Sequence, residues 1–332
     1  MGAGSAGCVI AARLSEDPAC RVLLIEAGGA DISRPALQTL GALASQFRNR
    51  CRLGQSHSTA GPSRRARHRL APEESHRGSS SINAMIWVWG HAADFDQWAY
   101  AGDQGWDYAS LRPVSKSIET CARQTSSGER GSHGPMHVGP VAETSPLTVS
   151  FLKAGEEMGH EVLEGVNAPL RDGAGFMDFN IKDGRRFSVV RGYLLPALER
   201  QNLTLLTRAR VDALSFQRSR CTGIRFRIGT EQFEVNTDRE TVLCAGAIEL
   251  PRLLMLSGVG NAEELRRYGV FKIIHSSRPS SPKRRHRWQP HPAPRASFSF
   301  EAQRKPRHRM YMLCLALLWW VFPKSSRMRL FR

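Results

Sequence analysis

The seven cysteines of this 332-residue chain include no CxxC pair and no metal-ligand spacing, which argues against zinc ribbons, thioredoxin-type redox motifs and a bound metal. Their odd number and scatter suit a reducing compartment rather than a disulfide framework. A charged N-terminal region followed by an apolar core and a small-residue cleavage site is also missing, so no secretory leader is read. Long apolar runs are scarce. Met310–Phe322 (MYMLCLALLWWVF) stands alone, and its thirteen residues would reach only about 20 Å as a helix, short of the roughly 30 Å of a hydrocarbon core. No transmembrane span is expected. The sequence is read as that of a cytoplasmic protein, with peripheral contact at the inner membrane as the alternative.

Acidic residues are few as well: 30 Asp and Glu face 47 Lys and Arg, a formal charge of +17. That value suggests nucleic acid, but its distribution argues otherwise. Arg48–Arg77 holds eight arginines against Glu73 and Glu74, and Phe271–Arg332 holds fifteen lysines and arginines against Glu301. The rest of the chain is slightly negative, so the basic character belongs to two segments and not to the fold. In Arg48–Arg77 large apolar residues shrink to Leu53 and Leu70, too few to bury a core. Disorder is expected there and in the tail.

The first twenty-nine residues, MGAGSAGCVIAARLSEDPACRVLLIEAGG, carry the constellation with the most direct chemical meaning. Gly2, Gly4 and Gly7 have the GxGxxG spacing: a tight turn, a close approach of backbone to a pyrophosphate, and close packing of helix on sheet. A helix starting at the phosphate would offer its N-terminal N–H groups and dipole to the anion. Arg21–Glu26 (RVLLIE) then reads as a short buried strand ending in a carboxylate placed for a ribose diol. The strand that should precede such a fingerprint has no sequence to form it, since Met1 already lies in the turn.

Further along, Gly78–Ser81 offers backbone N–H groups and hydroxyls with little bulk, suited to a phosphate or flavin edge. His91 is read as a turn residue rather than an acid/base partner of Asp94, and His137 in the short strand Gly134–Pro140 as structural. Gly105–Glu119 looks helical. At Thr144–Gly159 the signals agree on an amphipathic helix with Ser145 as N-cap and Pro146 at its first position, from which only packing is expected. A helix is predicted from about Val189 to Arg200 and a strand from Leu203. Ile224, Phe226 and Ile228, then Phe233 and Val235, alternate with polar residues as a meander. A buried strand, Val242–Cys244, leads through Ala245–Ala247 into a helix at Pro251–Leu256.

Four blocks together resemble one family: GAGSAG with LLIEAGG; GSSSINAMIWVWGHAADFDQW; GRRFSVVRGYLLPALERQNLTLLTRARV; and VLCAGAIELPRLLMLSGVGNAEELRRYGV. The family is the glucose-methanol-choline oxidoreductases, nearest its choline and alcohol dehydrogenase branch. The resemblance implies an α/β fold, with an incomplete Rossmann-like FAD-binding domain interleaved with part of a mixed α+β substrate domain. The FAD-binding parts would be 1–47, 78–140 and 201–270, the partial substrate domain 141–200, and the atypical basic segments 48–77 and 271–332. It implies FAD as cofactor, with Gly2, Gly4 and Gly7 at the pyrophosphate and Glu26 at the adenosine ribose. Gly78, Ser79, Asn83, Ala84, Met85 and Ile86 would line the pyrophosphate and the flavin ring, Val211 would read adenine through its backbone, and Ala245 and Gly246 would form a second turn at the cofactor.

The implied activity is oxidation of a primary alcohol, choline-like or other, to the aldehyde by hydride transfer to flavin, with a quinone or oxygen as electron acceptor. In the family a histidine removes the hydroxyl proton. Here the matching blocks stop near Val270, no catalytic residue is assigned, and the chain is expected to be a truncated, frameshifted and inactive family product. Arg77 stands where the family has a glycine, and Leu250 where it has Ser or Thr. The competing expectation is a non-enzymatic fragment whose basic tail binds anionic lipid or nucleic acid.

Overall fold

The computed structural model describes residues 1–29, 38, 78–123, 128–167 and 173–276. The expectations for the segment 31–47, apart from Gln38, for 48–77, and for the tail beyond Ser276 with its apolar run lie outside the described residues.

Helix α1 (Ser5–Leu14, SAGCVIAARL) buries Gly7 to Ala12, because its flank is made of small and apolar side chains. Strand β1 (Val22–Ile25) follows and pairs in parallel with β2 (Leu203–Leu206), Val22 opposite Leu203 and Ile25 opposite Leu206. This parallel pair under a helix is the α/β element the fingerprint predicts. β1 is less buried than expected. Leu24 and Ile25 are enclosed, but Leu23, on the opposite face from Leu24, is 40% exposed.

Among the described residues, Met1 and Gly2 lie beside β1 on the side away from β2. Gly2 N–H donates to the Ile25 carbonyl at 2.7 Å, Cys244 N–H to that of Met1 at 2.8 Å, and the Met1 ammonium to that of Val242 at 2.9 Å. Burial pushes the pKa of this ammonium down. Val242–Cys244 is not the buried strand the sequence suggests: it has no strand assignment and is only half-buried.

Helix α2 (Ala92–Tyr100) is capped by His91, whose Nδ1 accepts from Ala93 N–H at 3.2 Å. Helix α3 (Tyr108–Ile118) is capped by Asp107 and buries Leu111, Val114 and Ile118 along one face. Helix α4 (Pro146–Glu157) starts where predicted, Ser145 Oγ accepting from Leu147 N–H. Its packing among the described residues is slight. Leu152 is its one buried residue, while Leu147, Phe151 and Met158 are 78%, 71% and 76% exposed.

The helix predicted over 189–200 becomes a π-type turn, Val190–Leu194, and one α turn, Leu195–Ala197. Pro196 explains this: it has no N–H for the carbonyl four residues back and its ring crowds that carbonyl, so the ladder widens ahead of it. After β2 come β3 (Ala209–Gln217), β4 (Arg220–Ile228) and β5 (Glu231–Asn236), an antiparallel meander with Val211 opposite Phe226 and a bulge between Val211 and Ala213. Helix α5 (Gly246–Leu256) begins five residues ahead of the predicted Pro251, directly after Ala245 as N-cap.

Two cores result. One joins α1, Leu24, Phe95, α3, Met136, Val138 and the turn around Tyr193. The other joins Ile25, the meander and Leu253 of α5. Adjacent residues of one strand, Leu24 and Ile25, point into different cores.

Candidate functional site

Gly2 adopts φ +86°, and a Cβ there would lie 2.5 Å from the Cys244 carbonyl oxygen. A Cβ on Gly7 would sit 1.8 Å from the Gly2 carbonyl oxygen. Neither position admits a side chain, so the turn closes tightly enough to bring α1 onto the sheet. Gly78, at φ +74°, meets the same turn from another part of the chain: its Cβ would fall 2.4 Å from Gly4 Cα. The structure thus brings the first two sequence blocks into direct backbone contact. Ala245 joins them, its Cα 3.2 Å from the Cβ position of Gly2, while Gly246 at φ +83° faces open space.

α1 has Gly4 as its N-cap, with no side-chain cap and no acid in its first turn. Its leading N–H groups and the positive end of its dipole are available to an anion. The fit to a nucleotide diphosphate is therefore steric, in glycines that leave no room for a Cβ, and electrostatic, in an uncapped helix start.

Glu26 ends β1 and is 6% exposed. Its Oε2 accepts from Ala3 N–H at 2.6 Å and its Oε1 from Gly28 N–H at 2.8 Å. These bonds tie the carboxylate to the glycine turn yet use about two of its roughly four lone-pair positions. The Glu26 carbonyl accepts from Ala209 N–H at 2.9 Å, so β3, and Val211 two residues on, start beside it.

The loop after Gly78 makes a short 3₁₀ turn, Ser79–Ser81, with Ser80 and Ser81 buried. Asn83 Oδ1 accepts from Met85 N–H at 3.0 Å. Met85 is 1% exposed and takes φ +61°, a costly conformation for a methionine that persists where surroundings fix it. Ala84 is half-buried and Ile86 exposed, the latter paired with Phe179.

Sequence reasoning missed the residue that clamps this loop. Arg186 is buried; its Nη1 donates to Asn83 Oδ1 at 2.8 Å and to the Ser80 carbonyl at 3.2 Å, and its Nη2 to the Asn83 carbonyl at 2.7 Å. Burial pushes its pKa down to about 10. The only available signal was a pair of arginines in a turn, Arg185 and Arg186.

A buried charge cluster beyond the loop was also missed. Trp87 Nε1 and Trp89 Nε1 donate to Glu119 Oε2 at 2.8 and 3.0 Å. Arg130 bridges Glu119, Nε to Oε1 at 2.7 Å, and Asp178, Nη1 to Oδ2 at 2.6 Å. Arg123 Nε reaches Asp178 Oδ1 at 2.8 Å. Burial alone would lower the Arg130 pKa, but hydrogen bonds to Glu119 and Asp178 outweigh it and raise it. The cluster pins the segment that continues from the loop after Gly78. The histidines here are accounted for by structure: His91 caps α2, and His137 lies edge-on to Phe187, its pKa lowered by burial and by Lys182.

The GMC oxidoreductase family model matches residues 2–277. Mitochondrial choline dehydrogenase of Homo sapiens is 37% identical over 283 residues, covering 83% of this chain and 47% of that protein. Oxygen-dependent choline dehydrogenase of Sinorhizobium medicae is 39% identical over 274 residues, covering 81% and 49%. Among solved structures, pyridoxine 4-oxidase from Mesorbium loti superposes with a TM-score of 0.71 at 36% identity, covering 82% of this chain and 54% of that one. The chain spans about half the length of the curated relatives it matches. The expected α/β FAD-binding fold and the FAD cofactor agree with these likenesses.

Proposed function

The chain belongs to the GMC oxidoreductase family, and from that premise we propose that it holds FAD across its three converging turns. We further propose that the whole protein oxidises a primary alcohol of the choline type to the aldehyde. When bound, FAD supplies the hydride acceptor for the alcohol carbon.

The chain's own residues bind and orient. Gly2, Gly4 and Gly7 with the start of α1 receive the diphosphate. Glu26 takes the ribose hydroxyls with its remaining lone pairs, and the Val211 backbone meets adenine. Gly78, Ser79, Asn83, Ala84, Met85 and Ile86, braced by Arg186, flank the diphosphate and the ring, with Ala245 and Gly246 closing the far side. No described residue is assigned the hydroxyl proton. The choline-type alcohol is suggested by the 36–39% identity to choline dehydrogenases, and a cytoplasmic location belongs to the same reading. No helix among the described residues is long and apolar enough to cross a membrane.

The observation that carries the reading is the contact of Gly78 with Gly4, where a single Cβ would collide with the other turn. Its test is the visible spectrum of the full chain purified with FAD supplied during expression. Flavin bands at near one per chain are expected, followed by dye reduction assays with choline and simple alcohols. A colourless chain that does not take up added FAD would overturn the binding assignment.

A further inference from the structure

Asp183 and Gly184 both take positive φ, +52° and +68°, the pair of left-handed conformations that a two-residue hairpin turn needs if its twist is to match the flanking strands. The hairpin they close sets Lys182 opposite Arg185 and Ile181 opposite Arg186. Side chains alternate along a strand, so Arg185 reaches solvent while Arg186 turns inward and is 4% exposed. A short KDGR turn thus delivers a guanidinium to the loop that begins at Gly78.

Its grip spans that loop. Nη1 donates to the Ser80 carbonyl and to Asn83 Oδ1, and Nη2 to the Asn83 carbonyl, so the planar fork fixes the separation between the two residues. Asn83 Oδ1 in turn accepts from Met85 N–H. Asn180, just before the hairpin, donates its N–H to the Met85 carbonyl at 2.9 Å. The peptide groups on both sides of Met85 are therefore held from the hairpin, one through Asn83 and the other directly. That is how a left-handed methionine, at φ +61°, is sustained. At the other end of the loop, Gly78 is set by backbone contact with Gly4.

We propose that Arg186 is a positioning residue for the flavin ring: acting through Asn83, it holds the Asn83–Met85 backbone at the distance from the Gly78–Gly4 contact at which ring and diphosphate are seated together. The proposal rests on the FAD assignment above and adds a division of labour to it. The glycine turn and Glu26 hold the ADP portion, and Arg186 sets the seat of the isoalloxazine. A lysine cannot take its place, because an ammonium is a point charge without the fork that meets both acceptors of Asn83 and the Ser80 carbonyl at once.

The test compares ADP with FAD in calorimetric titrations of the full chain stripped of flavin, with far-ultraviolet circular dichroism as the check on folding. Visible circular dichroism of the bound flavin reports on the ring, and amide exchange without flavin reports on Met85 N–H. Arg186→Lys should leave ADP affinity unchanged, weaken FAD about tenfold, the scale of one or two net hydrogen bonds, alter the visible spectrum and speed exchange at Met85. Asn83→Ala keeps the carbonyl contacts of Arg186 and removes only the relay. It should reproduce the spectral change and the faster exchange, and it carries the test should the lysine variant not fold. The double variant should be no worse than Arg186→Lys, since the two residues act in series. A wild-type chain that takes up no FAD would overturn this proposal together with the binding assignment. A flavin-bearing wild type whose spectrum and Met85 exchange are unmoved by either substitution would overturn the role of Arg186 alone. Equal losses for ADP and FAD, or additive losses in the double variant, would do the same.

Discussion

Glu26 and Glu119 are both nearly inaccessible, at 6% and 0% exposure, yet they are satisfied in opposite ways. Glu26 accepts one backbone N–H on each oxygen. Glu119 accepts from two indoles, two nitrogens of Arg130 and Gly131 N–H, five donors for roughly four lone pairs. The second site is closed: nothing remains for a ligand, and its work is to hold strand to loop. The first is held in place by the glycine turn and, among the described residues, keeps acceptor capacity to spare. What separates the two buried carboxylates is thus the lone pairs left over, more than the depth of burial.

The largest expected effect breaks the closed site. Glu119→Gln leaves the buried Arg130 guanidinium with Asp178 as its remaining carboxylate, and removing one partner of a buried ion pair costs about 3–5 kcal/mol. Denaturant unfolding should show a loss of that size, whereas FAD affinity of the folded fraction should hardly change. A loss of FAD binding without a loss of stability would reverse the roles given to the two glutamates. A smaller effect sharpens the open site. In Glu26→Gln the amide NH₂ cannot accept from Ala3 or Gly28, so one buried donor is stranded at about 1–3 kcal/mol, and a hydrogen bond to a charged group, about 1.5–3 kcal/mol, is lost to the ligand. FAD titration should then read roughly tenfold to a hundredfold weaker binding.

How much of this was legible in the sequence follows from how local each signal is. Ser145 and Pro146 announced the start of α4 because a cap is decided within one turn. Gly2, Gly4, Gly7 and Glu26 announced the tight turn, the helix start and the acid at the strand end because all three follow within one βα unit. Arg186 and the Glu119 cluster were invisible because their partners are distant in sequence: Arg186 meets Asn83, and Arg130 meets Asp178. Val242–Cys244 misled because a run of apolar residues shows that a strand could form but not what it pairs with. Periodicity placed Leu147, Phe151 and Met158 on one face of α4, and it carries no information on what lies opposite that face.

The smallest expected effect separates the two regions by pH. Burial acts to raise the Asp178 carboxyl, but hydrogen bonds from Arg130 and Arg123 outweigh it and hold its pKa below the usual range. A carboxyl depressed in the folded state contributes stability that is fully present above its unfolded value of about 4 and is lost as the pH falls through the lower folded value. Unfolding free energy measured downward from neutral pH should therefore begin to fall below about pH 4, and Asp178→Asn should flatten that part of the profile while lowering the plateau. If the variant kept the wild-type slope, the acid-sensitive contribution would lie elsewhere, and the closed cluster would not be the element that fastens the segment after the Gly78 loop to the fold.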